Sequence, residues 1–508
     1  MLERGYFPRE LPPSFTTAPF AAFVGKSRGA LKLVRPPTQC VSHNLARPGG
    51  LRRSLKIPNP FPYLVLCEQV ERHGALIRGH LAATNLSASR PRPTKAPSRA
   101  LVPRLRLGEL PKLRARRWRG ARYLLRTDIN QFYPSIYTHS IPWALHTKPV
   151  AKANIGKAPL PGDDLDSASR AQQWAQTVGI PIGPDTSLVI AEIILTAVDK
   201  TISARHPKLL RGFRHLDDYE LPFRNLADAE TVLVELQGAL AEYELTLNPR
   251  KTSITEMPSA LEEAWVLEIS RFPIRATPRG HTSDMVALFS RAFELSAQHR
   301  EQAVLRYAIM RVRFEGVVAT GWRTFESLIL DAVTAEPSAL PTGLGVLSTV
   351  STKGGHKISK RALADVVEAV ILRHAPLAHG SEVAWCLFAS LSFDIQLSAD
   401  VAAVVANMDD DAVALLALDA NTRGLFPHGA LDTGRWGTLV ATPDAAEAEH
   451  WLLAYEAHLK GWLNVPAIAE DAAFSQIAAA GVSFYDPAAA GPGFPLAGYS
   501  APGGTAGY

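Results

Sequence analysis

The fold of this chain is decided by two stretches, LLRTDINQFY at residues 124–133 and FRHLDDYEL at residues 213–221. Each is an apolar, strand-like run that ends in carboxylates, Asp128 in the first and Asp217-Asp218 in the second. Apolar residues flank the adjacent acids on both sides, which predicts a strand–turn–strand hairpin with the acids at its tip. Two like charges on a tight turn repel, so a divalent cation or solvent must offset them.

Three carboxylates on neighbouring strand ends predict a site for two Mg²⁺ ions, with Mn²⁺ as an alternative ion. Two ions about 3.5–4 Å apart drive in-line nucleotidyl transfer. We expect Asp128 and Asp217 to bridge both ions, Asp218 to be the adjacent acid and the carbonyl of Ile129 to add a ligand. The alternatives are a solvated turn for the acid pair and a strand-end cap for Asp128. The pattern favours a polymerase palm.

Two more segments stand in order with these acids. GIPIGPDTS at residues 179–187 predicts a Gly/Pro loop followed by an apolar helix, which Ser187 or Thr186 would cap. LNPRKT at residues 247–252 predicts a turn that delivers Lys251. Each segment alone is a weak signal, and the ordered set is a strong one.

In this order the four segments resemble motifs A, B, C and D of the reverse transcriptases, over roughly residues 120–255. The sequence around residues 132–146, GPDTS at 183–187 and the opening PPSFTT resemble the bacterial antiphage group, the abortive-infection and other defence-associated reverse transcriptases. Two positions depart from the usual pattern. Ile182 stands where most members have Gln, and His215 stands where an aromatic residue usually precedes the acids.

The resemblance implies roles for individual residues. Lys251 joins the three acids as a catalytic residue that protonates or pairs with pyrophosphate, its alternative being a surface lysine. Tyr133 packs under the sugar and excludes a 2′-hydroxyl, its alternative being a core aromatic. The expected dNTP-binding residues are Ile129, Tyr133, Gly183, Pro184, Ser187 and Lys251.

The implied fold is an α/β palm and fingers over residues 1–275. An all-α helical-repeat domain over residues 276–487 replaces the thumb, and a flexible Gly/Ala/Pro-rich tail covers residues 488–508. Residues 1–60 read as an extended arm, 61–80 and 226–243 as helices, and 253–275 as a strand pair. Periodic apolar patterns predict the C-terminal helices at 283–299, 301–313, 322–336, 360–375, 380–392, 397–406, 410–418 and 443–460.

Charge and cysteine usage narrow the setting. The net charge is +6, and residues 90–126 hold thirteen Lys or Arg against one acid, which favours contact with nucleic acid or nucleotide phosphate. Trp118 and Tyr123 are candidates to stack on bases there. Three separated cysteines and no apolar run of membrane length predict a reducing, cytoplasmic setting without a membrane span.

The resemblance implies a magnesium-dependent DNA polymerase of antiphage defence, with protein-primed, template-independent synthesis as an unusual mode. Its partners are dNTPs, a DNA product, RNA as a further nucleic acid, and copies of itself through the helical domain. Alternatives are a group II intron or retron-type enzyme and a non-catalytic assembly or phage-sensing protein. Candidate priming hydroxyls are Tyr6, Tyr499 and Tyr508, and His139 and His146 are expected to be structural.

Overall fold

The computed structural model describes residues 1–31, 36–207, 211–275, 277–312, 317, 319–491 and 493–494. The strands are β1 Val41–Ala46, β2 Arg52–Ile57, β3 Pro91–Pro93, β4 Leu101–Pro103, β5 Tyr123–Asp128, β6 Phe213–His215, β7 Asp218–Phe223 and β8 Ser253–Glu256. The N-terminal helices are α1 Ala18–Ser27, α2 Pro60–Arg72, α3 Gly74–Leu81, α4 Leu110–Arg117, α5 Phe132–Ser135, α6 Ser140–His146, α7 Lys148–Ala153, α8 Pro161–Ala171, α9 Asp185–Arg205 and α10 Leu226–Ala241.

The C-terminal helices follow without a further strand among the described residues. They are α11 Ala264–Ser270, α12 Pro278–Gln298, α13 Val304–Val312, α14 Trp322–Ala335, α15 Leu340–Gly354, α16 Lys360–His374, α17 Gly380–Phe393, α18 Ala399–Val405, α19 Asp411–Thr422, α20 Gly434–Leu439, α21 Trp451–Leu459, α22 Pro466–Glu470 and α23 Ala472–Ala479. Within the described ranges, no helix combines the length and apolar character that crossing a membrane requires.

One four-stranded antiparallel sheet positions the predicted site. Its strand order is β6-β7-β5-β8, and β5 pairs with both β7 and β8. Helices α9 and α10 pack against this sheet and share an apolar core with it, which includes Leu125, Leu221 and Leu236. The predicted strand–turn–strand around the acid pair and the helix after it are both confirmed.

The predicted extended arm over residues 1–60 is wrong. Residues 41–57 form the hairpin β1–β2, with Val41 opposite Ile57 and a Pro-Gly-Gly turn at Pro48–Gly50. Apolar residues alternate on its two strands, and Gly49 and Gly50 both take positive φ angles that glycine adopts without strain. The alternation is short, because β2 begins with Arg52 and Arg53, and Arg53 takes a position on the apolar face opposite Leu45.

The predicted strand pair over residues 253–275 is half right. β8 pairs with β5, but the residues after it form helix α11 rather than a second strand. Trp265, Val266 and Ile269 are the buried residues of α11, spaced at one, three and four positions as on one helix face. The helix is so short that only these three residues show the helical period, which is why the sequence did not reveal it.

Most predicted C-terminal helices are confirmed, and α15 was missed. Pro341 and Gly343 suggested a break, yet both lie in the first turn of this helix. Proline is tolerated there because its missing N–H has no intrahelical partner in any case. A Cβ on Gly343 would lie 2.2 Å from Val333 Cγ1, so the glycine permits close packing of α15 on α14.

The N-terminal segment shares its apolar core with the helical half. Tyr6, Phe15 and Phe61 belong to the same buried cluster as the C-terminal helices. The amide of Thr16 donates to the carbonyl of Phe484 at 2.9 Å, and Phe15 forms a β-bridge with Tyr485. The core of the helical half therefore includes chain from both ends of the protein.

The predicted tail begins with packed residues. Phe494 is buried, and its ring lies 4.9 Å from that of Phe388, so flexibility was wrong for this residue. The remainder of the prediction, residues 495–508, lies outside the described residues.

Candidate functional site

Strand pairing brings two of the three predicted acids face to face. Asp128 ends β5, Asp218 begins β7, and the two are direct partners in the antiparallel register. Asp217 lies in the turn before Asp218, after Leu216 with a φ of +56°. This left-handed residue closes the tight hairpin between β6 and β7. The predicted carboxylates therefore lie at one edge of the sheet.

A buried ionic network supports the back of this hairpin. Arg214 of β6 donates to Glu192 at 2.7 Å and to Asp199 at 2.8 Å, both on α9, and all three side chains are buried. Arg214 also donates to the carbonyl of Leu216 at 2.8 Å, and the Leu216 amide donates to Ser89 Oγ at 2.7 Å. The hairpin turn is thus fixed by charged side chains beneath it.

The two buried carboxylates of this network accept further hydrogen bonds from neighbouring hydroxyl groups. Ser87 and Ser89 donate to Glu192, and the hydroxyl of Tyr219 donates to Asp199. Buried charges are tolerated when they are paired and hydrogen-bonded in this way. The sequence did not lead us to predict this buried network. The only signal was charged residues inside the apolar run of α9, which have no reason to be buried unless they are paired.

The acid pair carries unbalanced negative charge. Burial and then the charge of Asp128 raise the pKa of Asp217. The surrounding protein and then the charges of Asp217 and Asp128 raise the pKa of Asp218 to about 7. The Asp218 side chain is exposed at the surface of the cleft. We therefore expect repulsion from Asp217 and Asp128 to contribute more to the raised pKa of Asp218 than burial does. Such a cluster attracts cations.

Lys251 is the cation that the structure places against these acids. Its Nζ donates to Oδ2 of Asp128. The turn Pro249–Lys251 is anchored because the amide of Asn248 donates to the carbonyl of Asp128 at 2.7 Å. Partial burial opposes the charge of Lys251, but the hydrogen bond and charge of Asp128 outweigh it and raise the pKa of the lysine. The predicted turn therefore delivers Lys251 as expected.

The donor set fits magnesium. The three carboxylates supply the hard oxygen ligands that this ion prefers. The bridge between Ile129 and Leu247 is made by neighbouring groups, the Asp128 carbonyl and the Asn130 amide, so it does not occupy the carbonyl of Ile129. Asp128, Asp217, Asp218 and Ile129 would hold the ions.

Tyr133 lies close enough to the acids to sense them. It is half-buried just after β5, and its carbonyl accepts from the amide of Ile180 at 3.0 Å. Burial and then the negative charge of Asp217 raise the pKa of its hydroxyl. The ring packs against the apolar core under the sheet, so the core-aromatic alternative stays open beside the steric role.

The predicted loop before α9 is more enclosed than a nucleotide floor suggests. Ser187 is not the helix cap, since α9 begins at Asp185, and its hydroxyl donates to the carbonyl of Pro181 at 2.6 Å. Pro184 is buried, and Gly183 has a φ of +139° with Pro8 covering the side where a Cβ would project. The side chain of Ser187 is therefore already engaged inside the protein.

Asp185 at the start of α9 ties three segments together. Its carboxylate accepts from Arg99 at 2.6 Å and from the amide of Ala100 at 2.8 Å, and its amide donates to the carbonyl of Gly5 at 2.7 Å. A Cβ on Gly5 would lie 1.9 Å from this carboxylate, which explains the glycine. Part of the basic block thus has a structural role.

Two arginines of the β1–β2 hairpin were missed as site residues. The charges of Asp217 and Asp128 act on Arg47, although burial and Arg53 lower its pKa overall. The charge of Arg53 in turn partly offsets the rise in the pKa of Asp217. The charges of these two exposed arginines therefore act on the acid cluster, and alternation around Pro-Gly-Gly was the signal that would have found the hairpin that carries them.

A cleft of about 710 Å³ opens from the acids along the sheet face. Its wall includes Asp128, Asp218, Glu220 and Arg114, and Arg114 forms an ion pair with Glu220 at 2.7 Å. The prediction that Trp118 stacks on bases is wrong. Its ring is buried beneath the guanidinium groups of Arg114 and Arg126, so it supports the basic side chains instead.

His139 and His146 are structural, as expected, and His215, whose role the sequence left open, also contacts backbone inside the protein. His139 Nδ1 lies 2.7 Å from Asp166, and His146 Nε2 accepts from the amide of Gly162 at 3.1 Å. His215 is buried, with Nε2 3.2 Å from the carbonyl of Leu105. Their ring nitrogens serve the packing of the protein rather than the acid cluster.

Tyr6 does not lie on a flexible segment. It is fully buried, its ring stacks on Tyr63 with centroids 4.1 Å apart, and its hydroxyl donates to the carbonyl of Pro58 at 2.5 Å. Its prediction as a candidate priming hydroxyl is therefore wrong. Tyr499 and Tyr508 lie outside the described residues.

Comparisons with known proteins give little to add to this geometry. No family model matches the chain, and no curated protein matches it. Among solved structures it is similar to apo telomerase from Candida tropicalis, with a TM-score of 0.34 and 10% identity over 80% of this chain and 70% of that one. A likeness this distant leaves fold and function to be argued from the site.

Proposed function

We propose that this protein is a magnesium-dependent nucleotidyltransferase of the reverse-transcriptase type, which joins deoxynucleotides into DNA in bacterial antiphage defence. The observation that carries the proposal is the strand register that places Asp128 opposite Asp218, with Lys251 bound to Asp128. The resemblance of the four ordered motifs to defence-associated reverse transcriptases supplies the reaction class and the biological setting.

In this proposal Asp128, Asp217 and Asp218 hold the ions with the carbonyl of Ile129. When bound, the metal ions polarise the α-phosphate and neutralise the leaving pyrophosphate. Lys251, which already contacts Asp128, is placed to pair with pyrophosphate or protonate it.

The nucleotide would lie between the acids and the β1–β2 hairpin. The charges of Arg47 and Arg53 act on the acid cluster, and in this proposal these two side chains hold the triphosphate. Tyr133 at the wall of the site would exclude a 2′-hydroxyl. Of the predicted floor, Pro184 is buried and Pro8 covers Gly183, so this loop would support the nucleotide site from beneath, with the Ser187 side chain holding the loop in place.

The test is incorporation of labelled dNTPs by the full chain with magnesium, with and without added RNA template and primer. The matched control is the variant with Asp217→Asn and Asp218→Asn. Incorporation that requires template and primer would favour the intron or retron-type alternative. No incorporation under any condition would favour the non-catalytic alternative and contradict the proposal.

Protein priming is part of the proposal, and Tyr499 or Tyr508 remain its candidate hydroxyls. A hydroxyl delivered by the same chain gains a high effective concentration, which can replace a bound primer. Denaturing electrophoresis with and without protease decides it, because attached product migrates with the protein until protease releases it. Label that migrates as free DNA before protease treatment would exclude this mode.

We further propose that the helical half mediates self-association and that the protein works in the cytoplasm. Cys40, Cys67 and Cys386 are free and buried, which suits a reducing compartment. Sedimentation of the full chain across micromolar concentrations tests association, and a single monomeric species throughout would contradict it.

A further inference from the structure

We propose that His374, His379 and Glu382 bind one divalent transition-metal ion, zinc in the first place, where the β1–β2 hairpin meets the helical half. These three residues lie away from the acid cluster, on the connection between α16 and α17. Their ligand atoms all lie within 4.8 Å of one another. Imidazole and carboxylate are ligands that zinc accepts in proteins.

The backbone folds specifically to bring the two histidines together. His374 is the last residue of α16, a short turn at Ala375–Leu377 follows, and Ala378 has a φ of +53°. A non-glycine residue in this left-handed region is uncommon and is held by its surroundings. The reversal at Ala378 returns the chain so that His379 faces His374 just before α17 begins.

The donor distances are close to those of a metal site. The two Nδ1 atoms are 2.8 Å apart, and they lie 3.5 Å and 3.6 Å from Oε1 of Glu382. Ligands at about 2.0–2.2 Å from a tetrahedral zinc ion are separated by about 3.3–3.6 Å. The two nitrogen–oxygen separations match, and the nitrogen pair needs to open by about half an ångström.

The surroundings orient the ligands and leave a route of entry. Oε2 of Glu382 accepts from Ser381 Oγ at 2.8 Å and from Arg52 at 2.9 Å, which fixes the carboxylate as outer-shell partners do in metal sites. His374 and Glu382 are buried, while the half-buried His379 gives access from solvent. Three protein ligands leave a fourth position for water.

Arg52 makes the site sharper to test, because it also donates to Oε1 of Glu382 at 2.6 Å. A carboxylate oxygen has a second lone pair for the metal, but the arginine charge opposes a cation. Removing that charge should therefore tighten zinc binding, whereas removing a ligand should weaken it. A merely structural cluster would show neither effect.

The bound ion would stabilise the contact between the β1–β2 hairpin and the turn that joins α16 to α17. The hairpin already docks on this turn: Asn44 donates to the carbonyl of Ala378 at 2.8 Å, and the amide of Ala46 donates to Ser381 Oγ at 2.9 Å. The same hairpin carries Arg47 and Arg53, the two arginines that the proposed function assigns to the triphosphate. A metal at this turn would fix the hairpin against the helical half.

The experiment titrates zinc alone into chelator-stripped full-length protein that carries Asp217→Asn and Asp218→Asn, so that the acid cluster cannot bind the ion. A chromophoric chelator competes for zinc. We expect one ion per chain, a loss in affinity of about 10-fold or more with His379→Ala, and a gain with Arg52→Gln. His428→Ala, at an exposed histidine elsewhere, is the matched control and should change nothing.

Two further measurements keep the result decisive. Zinc should raise the melting temperature of the parent and not that of His379→Ala, and circular dichroism checks that this variant is folded. Cobalt substitution should give the absorption bands of a tetrahedral site. Zinc binding that is equally strong in His379→Ala, or absent in the folded parent, would overturn the proposal whatever the polymerase assay shows.

Discussion

The guanidinium of Arg214 lies 2.7 Å from the carboxylate of Glu192, and both side chains are buried beneath the hairpin that carries the acid pair. The acid pair at the surface and the cation below it, Arg214, belong to the same hairpin. The turn that carries two like charges at the surface is therefore fixed from beneath by the ion pairs of Arg214.

We expect Arg214→Met to lower the free energy of unfolding by about 3–5 kcal/mol, because it leaves Glu192 and Asp199 buried without their cation. Urea unfolding measures the loss. Arg224→Met, at an exposed arginine after the same hairpin, is the matched control. A loss as small as that of the control would mean that the network does not support the hairpin.

The variant with Asp217→Asn and Asp218→Asn should lose dNTP incorporation and keep or gain stability at pH 8. Raised pKa values mean that the native state binds these protons more tightly than the unfolded chain. Stability therefore falls as the pH rises from about 4 towards 7, and the variant lacks this fall. Urea unfolding at pH 4.5 and pH 8 measures it, and retained incorporation would contradict the metal site.

Lys251→Met should slow incorporation by about 100-fold or more if the lysine protonates pyrophosphate. Its side chain is well exposed, so the free energy of unfolding should change by less than about 1 kcal/mol. Single-turnover kinetics of the variant and of the neighbouring control Arg250→Met separate the role of this lysine from general positive charge. Equal rates in the two variants would argue against it.

Tyr133→Val should relax the preference for dNTPs over NTPs, because in the proposed function this ring packs under the sugar and excludes a 2′-hydroxyl. The ratio of kcat/KM for paired dNTP and NTP substrates is the measurement. Tyr137→Val, a half-buried tyrosine four residues on, is the control. An unchanged ratio would return Tyr133 to the role of a core aromatic.

Arg53→Met should raise KM for dNTPs more than it lowers kcat, since the arginine would hold the triphosphate before and during reaction. The substitution should also raise the pKa of Asp217 further, because the charge of Arg53 partly offsets the rise in that pKa in the parent protein. Arg72→Met, at an exposed arginine of α2, is the control. A pure kcat effect would place Arg53 in the chemical step instead.

The acids and Lys251 could be predicted because their neighbours are short local patterns: apolar runs, a tight hairpin and an Asn-Pro turn. The buried partners could not, since Arg214, Glu192 and Asp199 meet only across the fold. The predictions that Tyr6 primes synthesis and that Trp118 stacks on bases were wrong for the same reason. Tyr6 lies in a proline-rich stretch and Trp118 in a basic block, and long-range packing buries both.

The helical half shows the same limit. Apolar periodicity predicted most of its helices, but Pro341 and Gly343 indicated a break within α15. Gly343 is instead a point of close packing on Val333, which depends on the neighbouring helix rather than on local sequence. The shared core of Phe15 and Tyr485 has no local signal at all.

The bridge between Phe15 and Tyr485 also sets an order of assembly during synthesis. Translation at about 5–20 residues per second leaves the first of these residues waiting roughly 25–95 s for the second. Until then Gly5, which accepts from the amide of Asp185, belongs to a segment without its final packing surface. The N-terminal segment that contacts the loop in front of α9 therefore gains its final packing surface only after Tyr485 has been synthesised.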